Sequence, residues 1–219
     1  MHCGVGMLPL KFQEGERMDK KEALRKLIAS ADAYKECLEN KNLLIVYSNA
    51  VGECEFFETK FTRRQFRHLT GVDTSLSSSE LYKRLLSRRL STDDFELKAD
   101  GTTELKLNIL PKLLRFGSCA RMVGELHSGS VMHLRTEKLA GGVVACMGFV
   151  ADGRFYVPNT ALNKDIREVT ARPQYKILMI LEKSISDPKY SKAIHTAKGF
   201  TADNLLGYGE ICELIDFPV

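Results

Sequence analysis

The chain has 219 residues, 44% of them hydrophobic and 27% charged, with a net charge of +4. That is the balance of an ordinary globular protein, long enough to bury a core without disulfide staples. The mild charge permits a polyanionic partner without requiring one. The longest apolar run, Leu139 to Ala151, is shorter than the roughly 20 residues of a bilayer span, so no membrane partner is expected.

Residues 1–17 show no periodicity. The run Glu14-Gly15-Glu16-Arg17 ahead of Met18 can be encoded by a purine-rich stretch resembling a bacterial ribosome-binding site. These residues therefore read either as a translated leader before a start at Met18 or as a flexible N-terminus. Lys20 to Leu38 is predicted helical, with Ala23, Leu24, Leu27, Ala31, Tyr34 and Leu38 at helical spacing. Leu43 to Ser48 suits a buried strand and Cys54 to Phe61 an aromatic-rich one, joined as a hairpin by "NAVGE". Thr62 is placed to cap a short helix that Gly71 ends in the left-handed conformation. Ser78 or Ser79 is expected to cap the next helix, "ELYKRLLSRRL".

The stretch from Ser91 to Gly117 is ambiguous. Asp100-Gly101 fits a hairpin turn, while Thr102 or Thr103 capping a helix kinked at Pro111 fits as well; Gly117 stops the element in either case. From Ala120 onward the pattern is mostly strand: "ARMVGEL", "SVMHLRT", "GVVACMGFV", "RFYVP" and "YKILMILEK", with a hairpin at Ala151-Asp152-Gly153. "NTALNKDIREVT" reads as a short helix, "KYSKAIHTAK" as a strand or helix, and the acidic tail as an extra edge element. The whole is an α+β domain, helices mainly first and an antiparallel sheet after.

The six cysteines form no CxxC pair. With no secretory leader visible, they read as reduced thiols of a cytoplasmic protein. Cys54 and Cys146 fall inside predicted strands and read as core. There is no Walker loop and no GxGxxG after a strand, so no cofactor is expected. Glu125, His127 and His133 match no zinc signature, and no metal site is predicted.

The blocks "CEFFETKFTRRQFRHLTG", "DFELKADGTTELKLNILPKLL", "KLAGG…ACMGFV" and "RFYVPNTALNKDIRE", in that order, resemble the phage- and mobile-element-associated nuclease family of the barnase–EndoU–colicin–RelE superfamily. The resemblance covers roughly residues 20 to 198. It implies a domain over 18–198, with residues 1–17 and the 199–219 extension outside it, and helices on an antiparallel sheet of about four or more strands. It also implies metal-independent cleavage of RNA, either tRNA or mRNA, by a toxin or effector in an intragenomic conflict. The ribosome and an antitoxin or immunity protein are the accompanying partners to consider.

Cleaving RNA without a metal needs a base for the 2′-hydroxyl, an acid for the leaving 5′-oxygen, and cations for the developing charge. His68 is the leading candidate for the first role, since histidine titrates near neutrality. Arg64 and Lys138 are candidates to hold the scissile phosphate, and Thr70 and Asn159 to donate hydrogen bonds. Asn159 and Thr160 are expected at a strand-to-helix turn, where asparagine also serves as a cap. Arg63, Arg67, Arg121, Lys83, Arg84 and Arg88 are candidates to track the RNA backbone, with Lys106 adding charge. The competing readings are a helix-end histidine beside solvated arginines, and a non-catalytic RNA- or ribosome-binding module on the same fold.

Overall fold

The computed structural model describes residues 17–126 and 135–216. Helix α1 (Lys20–Cys37) begins at Asp19, whose carboxylate accepts from the Glu22 amide at 2.6 Å. That satisfies one of the donors every helix start leaves over. Strands β1 (Lys41–Ser48) and β2 (Cys54–Phe61) form the expected hairpin, in register from Lys41↔Phe61 to Ser48↔Cys54. Strand β1 is an unbroken apolar run because both its faces are covered. Leu43, Ile45 and Tyr47 enter the main core, while Leu44 and Val46 enter a smaller one.

Helix α2 (Arg63–Thr70) starts as predicted: the Thr62 amide and hydroxyl both donate to the Gln65 side-chain oxygen, at 2.9 and 2.6 Å. It ends at Gly71, with φ of 72°. Helix α3 (Ser78–Leu86) is capped by Ser77 and not by Ser78 or Ser79; the Ser77 hydroxyl accepts from the Glu80 amide at 3.2 Å. Ser78 instead turns toward the α2 carbonyls of Arg63 and Arg64.

Helix α4 (Thr102–Leu113) resolves the ambiguous stretch. The Asp100 carboxylate accepts from the Thr102 amide and hydroxyl at 3.0 and 2.7 Å, and Gly101 takes φ of 74°. Asp100-Gly101 is therefore a helix start and not a hairpin turn, and neither Thr102 nor Thr103 is the cap. Pro111 lies in the last turn. Gly117 does not stop the element; it sits inside the short helix α5 (Phe116–Cys119).

Seven further elements complete the fold: β3 (Met122–Glu125), β4 (Lys138–Gly141), β5 (Cys146–Asp152), β6 (Phe155–Leu162), α6 (Ile166–Val169), β7 (Tyr175–Ser184) and β8 (Lys192–Thr196). The tail adds α7 (Gly209–Leu214). Three expectations need correction. "GVVA" is not strand but the β4–β5 turn, closed by the Gly142 amide on the Ala145 carbonyl at 2.9 Å. The helix expected from Asn159 is only the four residues of α6, and Asn159 to Leu162 belong to β6. The tail, expected as an extra edge element, lies on a face of the sheet instead: Leu205 and Ile211 pack on Leu44, Val46, Met179 and Leu181, covering the outer face of β1 and β7. "KYSKAIHTAK" resolves to strand β8. His127, His133 and most of "SVMHLRT" lie outside the described residues.

The eight strands run in the order β1-β2-β6-β5-β4-β3-β7-β8, with β1 also paired to β7. The first seven strands thus close into a ring, and β8 stands outside it against β7. The pairings are antiparallel except β2 with β6, which is parallel and made by Thr59↔Tyr156. Phe57, Phe61, Val123, Met147, Phe149 and Ile177 fill the inside, and Leu27, Phe66, Leu81 and Leu107 of the first four helices pack into the same core. No helix among the described residues is long and apolar enough to cross a membrane.

Candidate functional site

Helix α2 buries Phe66 and Leu69 and leaves Arg63, Arg64 and His68 exposed. At its C-terminal end a cleft of about 370 Å³ opens, lined by Arg67, His68, Asp73, Lys98, Lys106 and Asn159, with Thr160 beside them. Three cations and an imidazole face one carboxylate there. They gather where the α2 carbonyls end, the negative pole of the helix.

Lys106 is the most constrained of these groups. It comes from α4 and crosses Gly71, and its ammonium donates to the His68 carbonyl at 3.2 Å. A Cβ at Gly71 would stand 2.9 Å from Lys106 Cδ. Glycine at 71 therefore serves twice, as a left-handed helix stop and as clearance for the lysine stem. The Thr103 hydroxyl donates to the Gly71 carbonyl at 2.7 Å, tying the start of α4 to the end of α2. Burial, and then repulsion from Lys98, lowers the Lys106 pKa from the ordinary lysine value.

Asn159 reaches the same cleft from β6, beside a register shift opposite Gly148 and Phe149. It is not a helix cap. Its amide donates to the Arg135 carbonyl at 2.6 Å and its oxygen accepts from the Thr136 hydroxyl at 3.2 Å. The side chain is thereby held in one orientation.

The other candidates are dispersed. Thr70 is buried and donates to the Arg67 carbonyl at 2.8 Å, the ordinary bond of a helix-terminal hydroxyl, so the structure does not bring it into the cleft. Arg64 lines a separate groove with Lys60, Ser79 and Asp152. Arg63 is paired with Glu39 at 2.5 Å. Arg67 lines the cleft while one guanidinium nitrogen donates to the Leu76 carbonyl at 3.0 Å. Lys83 is exposed, but Arg84 is held by Glu80 and Asp94 at 2.9 and 3.0 Å, and Arg88 by Asp32 at 2.7 Å. That helix face is largely charge-compensated. Arg121 donates to the carbonyls of Gly117, Ser118 and Ala120. Lys138 lines none of this cleft; it points into the strand ring, with its Nζ 5.7 Å from the centre of the Phe57 ring.

Burial pushes the Cys146 thiol up to about 12, as suits a core residue. His195 on β8 is half-buried, its pKa lowered by burial and then by Arg121. It lines none of the cleft beside α2.

Lys98 and Asp73 were not singled out by sequence, and Lys106 was read only as added charge. The one local signal that bore on them was Asp100-Gly101-Thr102: read as a helix start, it sets Lys106 one turn inside α4.

A family model described as "phage-Barnase-EndoU-ColicinE5/D-RelE like nuclease4" matches residues 26–199, which include every residue lining the cleft. No curated protein and no solved structure matches the chain. The helices on a mostly antiparallel sheet fit that superfamily's fold, and a nuclease family implies a nucleic-acid substrate. The chain belongs to the phage-barnase–EndoU–colicin E5/D–RelE-like nuclease 4 family.

Proposed function

We propose that the protein is an endoribonuclease that cuts RNA by attack of the 2′-hydroxyl on the adjacent phosphorus, without a metal ion. The observation that carries this reading is the meeting of His68 with Arg67, Lys98, Lys106 and Asn159 in one cleft. The neutral His68 ring takes the 2′-hydroxyl proton. The oxygen attacks phosphorus, Lys98 and Arg67 hold the non-bridging oxygens, and the Asn159 amide lies beside them as a hydrogen-bonding group. Lys106, whose proton burial loosens, protonates the leaving 5′-oxygen. The products are a 2′,3′-cyclic phosphate and a 5′-hydroxyl end.

The substrate in this reading is tRNA or mRNA, and the setting is an effector of a phage or mobile element acting in the cytoplasm. A partner that blocks the cleft would act as its antitoxin. The second reading is an RNA- or ribosome-binding module on the same fold. It is favoured by one observation: among the described residues no side chain hydrogen-bonds the His68 ring to fix its orientation, as catalytic histidines usually require.

Incubating purified protein with labelled total RNA in EDTA, beside His68→Ala, tests both. Cyclic-phosphate ends that vanish in the variant support the nuclease. Salt-dependent RNA binding without cleavage, equal in the two proteins and unchanged by added ribosomes, supports the binding module.

A further inference from the structure

At the end of the strand ring where β1 and β3 finish and β2, β4 and β7 begin, the described residues form a mouth. It is lined by Tyr47, Glu55, Glu125, Lys138, Arg172 and Tyr175, none of which lines the cleft beside α2. Lys138 is its centre. Its Nζ lies 5.8, 5.7 and 5.9 Å from the ring centres of Tyr47, Phe57 and Tyr156. Its side chain is 18% exposed, and the nearest carboxylate oxygen, on Glu125, is 3.9 Å away.

Among the described residues the Lys138 ammonium makes no hydrogen bond. A cation drawn out of water is costly unless something replaces its hydration. Aromatic faces do so only in part. The arrangement suits a cation held ready for an anion. The exposed Arg172 stands on the rim as a second one. Tyr47 and Tyr175 are 5.9 Å apart and inclined by 32°, so they form a wall, with Tyr175 half-buried at its outer side. Glu55 is steadied by the Tyr47 hydroxyl at 2.9 Å, while the Glu125 side chain is 73% exposed.

We propose that this mouth is a nucleotide subsite, with a phosphate on Lys138 and Arg172, the base against Tyr175, and Glu55 or Glu125 accepting from a base N–H. The inference rests on the reading that the protein acts on RNA, and its occupant is one nucleotide of the bound strand. The two carboxylates disfavour a second phosphate at the same place. The aromatic wall supplies the stacking that single-stranded RNA sites use.

The protein has seven tyrosines and no tryptophan, so its own fluorescence does not single out this wall, and binding is read from the anisotropy of a dye label on the RNA. A 2′-O-methyl RNA oligonucleotide has no attacking hydroxyl, so titrating it with the full chain measures binding apart from cleavage. Lys138→Met keeps the stem among the rings and removes the charge. Arg172→Ala removes an exposed side chain and tests the same site with little risk to folding. Each variant is expected to weaken binding roughly tenfold or more. In the wild type, 5′-AMP is expected to compete better than inorganic phosphate at equal concentration. Unchanged oligonucleotide affinity in both folded variants would overturn the subsite. Phosphate competing as well as 5′-AMP would overturn the base-binding wall. Weakened binding alongside a wild type that cuts no RNA would uphold the subsite and sink the nuclease reading.

Discussion

Replacing Gly71 by alanine puts two demands on one atom. The residue sits at φ of 72°, where a Cβ costs roughly 1–2 kcal/mol against the following carbonyl. In a chain of this size each kcal/mol lowers Tm by roughly 2–4 °C, so the melting point should fall by about 2–8 °C. The same Cβ lands 2.9 Å from Lys106 Cδ. A flexible stem yields more easily than a backbone, so Lys106 should swing aside and release the His68 carbonyl. Gly101→Ala is the control. Its φ is 74°, and a Cβ there meets nothing within 4 Å. Both variants should therefore lose similar stability in differential scanning calorimetry, while only Gly71→Ala displaces the lysine. Single-turnover cleavage of a labelled RNA, well below either Tm, should fall by about 10²–10⁴ in Gly71→Ala alone if Lys106 supplies the leaving proton. Equal cleavage by the two variants would refute the role given to Lys106.

The lowered Lys106 pKa also has a stability signature. Below its folded pKa the buried ammonium destabilises the fold. As pH rises through that value toward the unfolded one, the unfolded state binds more protons and stability climbs. Lys106→Met should therefore melt above wild type at pH 7, with the gain shrinking at alkaline pH; a variant that melts lower at both pH values would contradict the desolvation argument. In cleavage assays, Lys106→Arg should lose the alkaline limb that a titrating lysine imposes, because guanidinium stays protonated. Tyr190→Phe removes the hydroxyl that donates to buried Glu58 at 2.7 Å, and should cost about 1–3 kcal/mol in urea unfolding; a cost near zero would show that Arg154, paired with the same carboxylate at 3.2 Å, satisfies it alone. Cys146 should stay unmodified by a disulfide reagent at pH 8 until the protein unfolds, and rapid native-state labelling of it, read by mass spectrometry, would contradict its burial.

The parts of the fold that were legible in the sequence are those written in neighbouring residues. Thr62 with Gln65 begins α2 and Gly71 ends it. Residues 41 to 61 carry their own hairpin. His68 stands out in the block "FTRRQFRHLTG" through its flanking arginines and the family resemblance that block carries. The rest depends on contacts distant in sequence. Lys98 and Lys106 join His68 only once α4 docks against α2, a placement settled by Thr103 on the Gly71 carbonyl. Asn159 reads as a strand-to-helix turn residue, yet it lies in β6, where Pro158, Thr160, Ala161 and Leu162 are all buried and no in-out alternation marks the strand. Lys138 was grouped with His68 because both lie in family blocks. Ring closure turns β4 inward and puts the lysine at the mouth instead. The turn at Gly142 to Ala145 was hidden because two exposed valines continue the apolar run on either side of it.

The ring is joined between β2 and β6 by a single residue pair. Along the rest of that seam no strand among the described residues pairs with either edge, and such an edge can recruit another chain. Helix α2 leaves β2 directly and packs against β6, so the helix that carries His68 is also the lid over this seam. Loosening α2 therefore carries a cost beyond lost activity: it uncovers a template for self-association. Variants at Phe66, which anchors the helix in the core, should be judged by sedimentation as well as by cleavage, because an inactive protein made this way will also be a sticky one.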